Sequence, residues 1–336
     1  MKKTLKKIGS KILYYTPFTP TWAFKQALNF ARGSNRGFKL FTKDYTHRDG
    51  ISRLAVKASL GFWYCGDLTD SYETAWVIFR KGFLEPQGTN LAKFFFQYFG
   101  ALKDRVIFYD IGANTGYYSL MAAFLGKGKI TAYGFEPVNE FYRTAQESVF
   151  LNRLEETCHL YNYALGDKDQ DTEILMSGTG STLNFTAEDS SSGKFEFQKI
   201  KEATLDGFVE KELLKDPDFI KMDVEGYEYR VLEGGRKTLT RSTPVIYYEI
   251  FYKKKGGELI WPADTLKIEE FLLGLGYEIF TCEEKKLTPM QEFKENLKVP
   301  KDKQGVFMNL ALHPQKHAGL MQKLKFEYAA VVSKPN

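Results

Sequence analysis

Cysteine is scarce in this chain of 336 residues: its three copies, Cys65, Cys158 and Cys282, lie far apart. No C-x-x-C pair occurs and no cysteine is grouped with histidines in a zinc-ligand pattern, so neither a disulfide framework nor a zinc site is indicated. A reducing compartment fits this usage, and a cytoplasmic location is expected. Long apolar runs are missing as well. The basic start, Met1 to Tyr15, lacks the continuous apolar core of a secretory signal, and no later stretch approaches a membrane span. Within it, Leu5, Ile8 and Ile12 are set among Lys2, Lys3, Lys6, Lys7 and Lys11. That pattern suits weak peripheral contact with an anionic membrane or, the reading favoured here, a basic start whose few apolar residues pack on an N-terminal cap. Charge of one sign is not in excess: 47 basic residues stand against 42 acidic ones, a net charge of +5 without a basic stripe, so no nucleic-acid partner is expected.

Aromatic residues, by contrast, are plentiful. The chain carries 28 Phe and 20 Tyr, which suits a thick core or a stacking surface. Its length allows one large α/β core with roughly a hundred residues to spare. From Val106 onward, apolar runs alternate with helical patterns. Strands are expected near 105–111, 129–136, 157–164, 219–224, 244–250, 277–283 and 305–313, with helices over 117–125, 139–154, 227–239 and 264–275. This is the rhythm of a doubly wound, Rossmann-like α/β sheet of seven strands with helices on both faces. The first hundred residues lack it and hold Phe94-Phe95-Phe96-Gln97-Tyr98-Phe99. They read as a mostly helical, aromatic-rich cap (1–100), preceding a catalytic domain (101–314) and a basic surface-helix tail (315–336). Residues 170–200, rich in Gly and Ser turn signals, read as an inserted hairpin or flap over a cleft.

The first strand ends in Asp110-Ile111-Gly112-Ala113-Asn114-Thr115-Gly116. Dinucleotide-binding turns place glycine where the chain leaves the strand, because a pyrophosphate must meet bare backbone. A carboxylate there repels phosphate and suits an ammonium or a hydroxyl. S-adenosylmethionine has that complement, with no phosphate, an α-amino group, a ribose and a sulfonium, so the turn favours a methyl donor over a nicotinamide and disfavours a dehydrogenase. Gly112 and Gly116 allow close backbone approach, and Asn114 tolerates a left-handed turn. In open α/β sheets ligands lie beyond the carboxyl ends of the strands. Strand two ends at Glu136-Pro137, and Glu136 follows Asp110 by one strand-helix-strand unit, where an acid reaches ribose hydroxyls. Asn162 and Ala164 follow strand three, where an adenine edge is expected. Strands four and five end at Asp223-Val224-Glu225-Gly226 and at Glu249, the latter followed by a basic rim, Phe251 to Gly257.

Taken together, Asp110 to Ser119, Gly134-Phe135-Glu136-Pro137, Asn162 to Asp167, Thr204-Leu205-Asp206, Ile220 to Glu228 and Val231 to Gly235 resemble the FkbM family of S-adenosylmethionine-dependent methyltransferases over roughly residues 100 to 283. The run Ile220-Lys221-Met222-Asp223-Val224-Glu225-Gly226-Tyr227-Glu228 is the most specific of these. The resemblance implies a class I methyltransferase fold with strand order 3-2-1-4-5-7-6, the last strand antiparallel, and O-methylation of hydroxyls, often on sugars or natural products. Strand four then lies beside strand one, so Asp223 falls next to the transferring methyl and is the first candidate for the base that takes the hydroxyl proton; Glu225 and Glu249 are the alternatives. Asp223 and Glu225 have Asp-x-Glu spacing, but no further oxygen ligands are evident and no metal is expected. The expected acceptor is a small molecule or glycan. Two other readings stand beside this one: a nucleic-acid methyltransferase, for which neither an Asn-Pro-Pro-Tyr-type motif nor a basic stripe is found, and a non-catalytic glycan- or partner-binding protein, which has no need of an intact donor turn.

Overall fold

The computed structural model describes residues 41–46, 52–67, 77, 84–176, 181–183, 196–255, 258–260, 262–283, 286–297 and 304–332. The basic N-terminal segment, most of the serine-rich part of the insert and Gly256-Gly257 of the basic rim lie outside the described residues. Strands β1 (Phe41–Thr46), β2 (Ser52–Lys57) and β3 (Trp63–Asp67) form an antiparallel sheet, so the N-terminal region holds a sheet as well as the expected helix, α1 (Pro86–Leu102). The edge of β3 is occupied rather than left open. Trp63 donates its N–H to Asn152 Oδ1 at 2.7 Å, Cys65 donates its own to Ser148 Oγ at 2.8 Å, and the Asn152 amide returns a bond to the Trp63 carbonyl at 2.6 Å.

The main sheet begins with β4 (Val106–Ile111), α2 (Tyr117–Gly126), β5 (Ile130–Phe135), α3 (Asn139–Asn152) and β6 (Cys158–Tyr161). An insert follows, made of β7 (Ala164–Gly166), β8 (Gln170–Met176) and β9 (Glu196–Thr204), and leads into α4 (Leu205–Lys211). Then come β10 (Phe219–Met222), α5 (Glu228–Gly234), α6 (Arg236–Ser242), β11 (Val245–Lys255), β12 (Glu258–Ile260), α7 (Ala263–Gly274), β13 (Glu278–Cys282), β14 (Leu287–Pro289), α8 (Met290–Asn296), β15 (Gln304–Leu312) and α9 (Ala318–Val332). The long path runs β14-β13-β15-β11-β10-β4-β5-β6, with β12 paired to β11. Its seven principal strands stand in the order 3-2-1-4-5-7-6, and β15 is antiparallel to both its neighbours, as the class I methyltransferase fold requires. The sheet has nine strands rather than seven. The two additions, β12 and β14, are three-residue edge pieces too short to leave a periodic signal.

Both faces of the sheet are buried, so its strands alternate between two cores instead of between core and water. On β4, Val106 and Phe108 face one core while Ile107, Tyr109 and Ile111 face the other. The aromatic run of α1 lies on the first: Phe95 meets Phe219 at 4.9 Å, Phe96 meets Phe108 at 5.1 Å, and Phe108 stacks on Phe219 at 5.0 Å. Part of the aromatic content therefore fills the core beneath α1, which the N-terminal region shares with the main sheet, and part fills the core on the other face. The tail is also more than a surface helix, since Leu320, Leu324, Tyr328 and Val332 of α9 are buried in the same cluster.

Two further departures from the sequence reading have plain causes. The single helix expected over 227–239 is split at Gly235, which takes φ −108° and ψ 9°; Asp206, from the Thr-Leu-Asp motif, then accepts the N–H groups of Lys237 (2.9 Å) and Thr238 (2.7 Å) and caps the second piece. In the insert β8 and β9 pair antiparallel, and β9 also pairs with β7, making a three-stranded sheet.

Candidate functional site

The carboxyl ends of β4, β5, β10 and β11 lie level. Asp110 pairs with Gly134 on one side and Lys221 on the other, and Met222 pairs with Tyr248, which sets Asp223 beside Glu249. The turn after β4 takes left-handed backbone at Gly112 (φ 75°), Asn114 (φ 49°) and Gly116 (φ 81°). At Gly112 a Cβ would stand 1.9 Å from the Asp223 carbonyl oxygen, so only glycine lets this turn pass over the end of β10. Gly116 serves packing instead: a Cβ there would meet Ala145 of α3 at 2.9 Å.

The two donor-side acids have different tasks. Asp110 is wholly buried and turns away from the cavity; its Oδ2 accepts from the Ser119 N–H at 2.9 Å and the Ser119 hydroxyl at 2.7 Å, which caps α2. These bonds fix the start of the helix behind the turn. Burial raises its pKa, opposed by Lys221 and by the Ser119 bonds. Glu136 does line the cavity. It accepts from the backbone N–H groups of Asn114 and Val138, each at 2.8 Å, and burial pushes it up to about 7 against the pull of both bonds. Each oxygen has accepted one hydrogen bond, which leaves acceptor capacity for a diol. Asn162 lies behind this acid, donating to the carbonyls of Glu136 (2.9 Å) and Pro137 (3.0 Å), which shapes the turn.

The cavity is lined by Gly112, Asn114, Glu136 and Ala164, four of the seven residues expected on the donor side; Asp110, Gly116 and Asn162 stand outside it. Its apolar wall comes from Phe135, Val138, Phe141, Tyr163 and Leu165, and the insert closes it with Ile174, Ser181 and Leu183. At this point the insert is tied to the far rim, because the Thr182 hydroxyl donates to the Glu225 carbonyl at 2.9 Å. A cavity with a carboxylate at one end, apolar flanks and a glycine turn beneath fits the ribose, adenine and methionine parts of S-adenosylmethionine.

Asp223 and Glu225 line the same cavity. The structure brings together all three acids read as base candidates: carboxylate oxygens of Asp223, Glu225 and Glu249 lie within 4.8 Å of one another. Like charges this close cannot all be ionised together. Burial first, then Asp223, pushes Glu225 up to about 7; burial first, then Asp223 and Glu225, pushes Glu249 up to about 10. The Glu249 Oε2 is buried and receives no hydrogen bond. Three oxygens in this arrangement suit an oxygen-seeking cation or a shared proton. Two residues of this rim carried no role in the sequence reading. Buried Glu228 accepts from the Val224 N–H at 3.1 Å and the Gly226 N–H at 3.4 Å, which pins the turn, and burial raises it to about 8. Lys221 places its ammonium 3.2 Å from Asp223. A lysine inside the apolar strand Phe219-Ile220-Lys221-Met222 was the available signal.

The profile of the Methyltransferase FkbM domain matches residues 110–279, half of the chain. Among solved structures, a Methyltransferase FkbM from Methylobacillus flagellatus shares 17% identity, covering 62% of this chain and 44% of its own, with a TM-score of 0.39. A precorrin-6y C5,15-methyltransferase from Geobacter metallireducens shares 15% identity over 68% of this chain and 86% of its own, with a TM-score of 0.36. An S-adenosylmethionine-dependent O-methyltransferase from Thermotoga maritima shares 12% identity over 66% and 63%, with a TM-score of 0.34. This chain thus spans less than half the length of the first of these. Comparison with curated proteins gives no match. The donor turn, the ribose-side acid and the Asp-Val-Glu-Gly rim all fall inside the matched segment, and the chain belongs to the FkbM methyltransferase family, whose methyl donor is S-adenosylmethionine.

Proposed function

We propose that this protein is an O-methyltransferase that moves a methyl group from S-adenosylmethionine to a hydroxyl of a saccharide or another hydroxylated small molecule. The observation that carries the reading is the convergence of Asp223, Glu225 and Glu249, the first two of which line the same cavity as Glu136. S-adenosylmethionine supplies an electrophilic methyl on a cationic sulfur. An aliphatic hydroxyl becomes an adequate nucleophile only as its proton leaves, and Asp223, partly exposed on the cavity wall, is placed to accept it. Glu225, on the same cavity wall, and Glu249, within 4.8 Å of both, are raised and can hold a proton. Gly112, Asn114 and Glu136 hold the donor, and alignment of the three reacting atoms supplies the rest.

Lys221 already gives this cluster a cation, so transfer is expected to persist in the presence of a chelator. A panel of sugar and polyol acceptors, assayed for conversion of S-adenosylmethionine to S-adenosylhomocysteine, tests the reading. Asp223→Asn is expected to cut turnover roughly 10²–10⁴-fold. Donor binding without turnover on any acceptor would leave a non-catalytic binding protein; near-normal turnover in Asp223→Asn would move the base to Glu225 or Glu249. Three separate, buried free thiols support the cytoplasmic placement. Among the described residues, no helix is long and apolar enough to cross a membrane.

A further inference from the structure

Strand β10 lies in the middle of the sheet, and Phe219, Ile220 and Met222 are what a strand buried on both faces requires. Lys221 is not, since it carries an ammonium into a position only 5% exposed. A buried ammonium is costly unless it is paired. The structure gives it two carboxylates from different elements, Asp223 Oδ2 at 3.2 Å and Asp110 Oδ1 at 3.9 Å, and places it 5.1 Å from the centre of the Tyr118 ring. Ser119 takes Asp110 Oδ2, whereas Oδ1 receives no hydrogen bond, so the charge facing Oδ1 is this ammonium. A proton on Oδ1 would be a buried donor pointed at a cation, which argues that Asp110 is ionised there.

We propose that Lys221 is the positioning and charge-setting residue of the methyl-transfer site. One ammonium ties the acid behind the donor turn to the acid on the acceptor side, and it sets how strongly the pocket prefers a cationic donor over its neutral product. This rests on the cavity being the S-adenosylmethionine site. Two carboxylates about one ammonium leave the rim negative, and Asp223, its side chain 30% exposed, presents that charge to the cavity. The sulfonium of S-adenosylmethionine feels this charge, while the thioether of S-adenosylhomocysteine does not. The ratio of the two affinities therefore reports the local charge, and a residue that serves packing alone leaves the ratio unmoved.

Calorimetry on the full chain with both nucleosides, at one pH, tests this. Lys221→Met is expected to raise the preference for S-adenosylmethionine roughly tenfold, and Lys221→Arg to keep it within about twofold of wild type. Asp110→Asn is expected to lower the preference, and the double variant Asp110→Asn/Lys221→Met to bring it back toward wild type. If Lys221→Met does not fold, the double variant, which removes both buried charges together, is compared with Asp110→Asn. A packing role predicts no recovery on the second substitution, and that result overturns the proposal. A wild-type chain that binds neither nucleoside defeats the functional reading itself; one that binds both with a ratio indifferent to Lys221 defeats this inference alone.

Discussion

Glu136 and Asn162 divide one task. The acid faces the cavity, while the amide holds the carbonyls of Glu136 and Pro137 from behind and so fixes where that acid points. Glu136→Ala is expected to weaken S-adenosylmethionine binding by more than roughly tenfold, and Asn162→Ala by about three- to tenfold, since losing a positioning hydrogen bond costs about 1 kcal/mol. Calorimetry checks both, and an Asn162→Ala protein with wild-type affinity would show that the Glu-Pro turn holds itself. Glu136, Glu225, Glu228 and Glu249 share one sign of perturbation: burial raises them to about 7, 7, 8 and 10. The folded chain therefore retains protons that the unfolded chain gives up near pH 4 to 5. Their contribution to stability is complete below that range and is lost as pH rises through 7 toward 10. The melting temperature without ligand is expected to fall by roughly 5–10 °C between pH 6 and pH 9, and Glu249→Gln to flatten the decline. A melting profile flat across that window would contradict the assignment.

Elements meet at this site with little clearance. The β4–α2 turn crosses the end of β10 at Gly112, with φ 75° and space for a hydrogen only. Gly112→Ala therefore combines backbone strain with a collision against the Asp223 carbonyl, and is expected to cost about 1–3 kcal/mol of stability and to abolish measurable donor binding. Denaturant melts and calorimetry read these separately; a tolerated alanine with intact binding would mean that the turn can move off β10. The same kind of contact explains the broken helix. Gly234 packs so closely on β7 that a Cβ would stand 1.9 Å from the Gly166 carbonyl oxygen, and the chain turns at Gly235 immediately afterwards. The motif residues Val231 to Gly235 thus mark a helix-to-strand contact rather than a ligand contact.

At the scale of the molecule, the N-terminal helix packs into the hydrophobic core of the main sheet. Phe95 and Phe96 of α1 lie against Phe108 and Phe219 of the central strands, and α9 packs in the same cluster. Phe96→Ala is expected to cost about 3–5 kcal/mol. A fragment beginning at residue 105 exposes that sheet face and is expected to be insoluble or to lack a cooperative melt. A soluble, cooperatively folding fragment would restore the picture of a separable cap. The β2–β3 hairpin adds a second attachment: the Tyr64 hydroxyl touches the Thr115 hydroxyl inside the donor turn, which links residues before the matched segment to the site.

Sequence alone determined the succession of strands and helices, the glycine turn after the first strand and the identity of the rim acids, whereas the strand order was implied only by the family resemblance. The first three are written in local signals: runs of buried-strand residues, a helix start, and carboxylates at the ends of strands. It did not determine where the side chains point. Asp110 and Glu136 look equivalent in the chain, yet one caps a helix from within and the other faces the cavity, because that depends on what each neighbouring element offers as a partner. Nor did it assign a task to Lys221, whose meaning comes from Asp110 on an adjacent strand 111 residues earlier in the chain. Pairing across a parallel sheet is a long-range property, set by register and burial, and only the assembled fold brings those charges into one site.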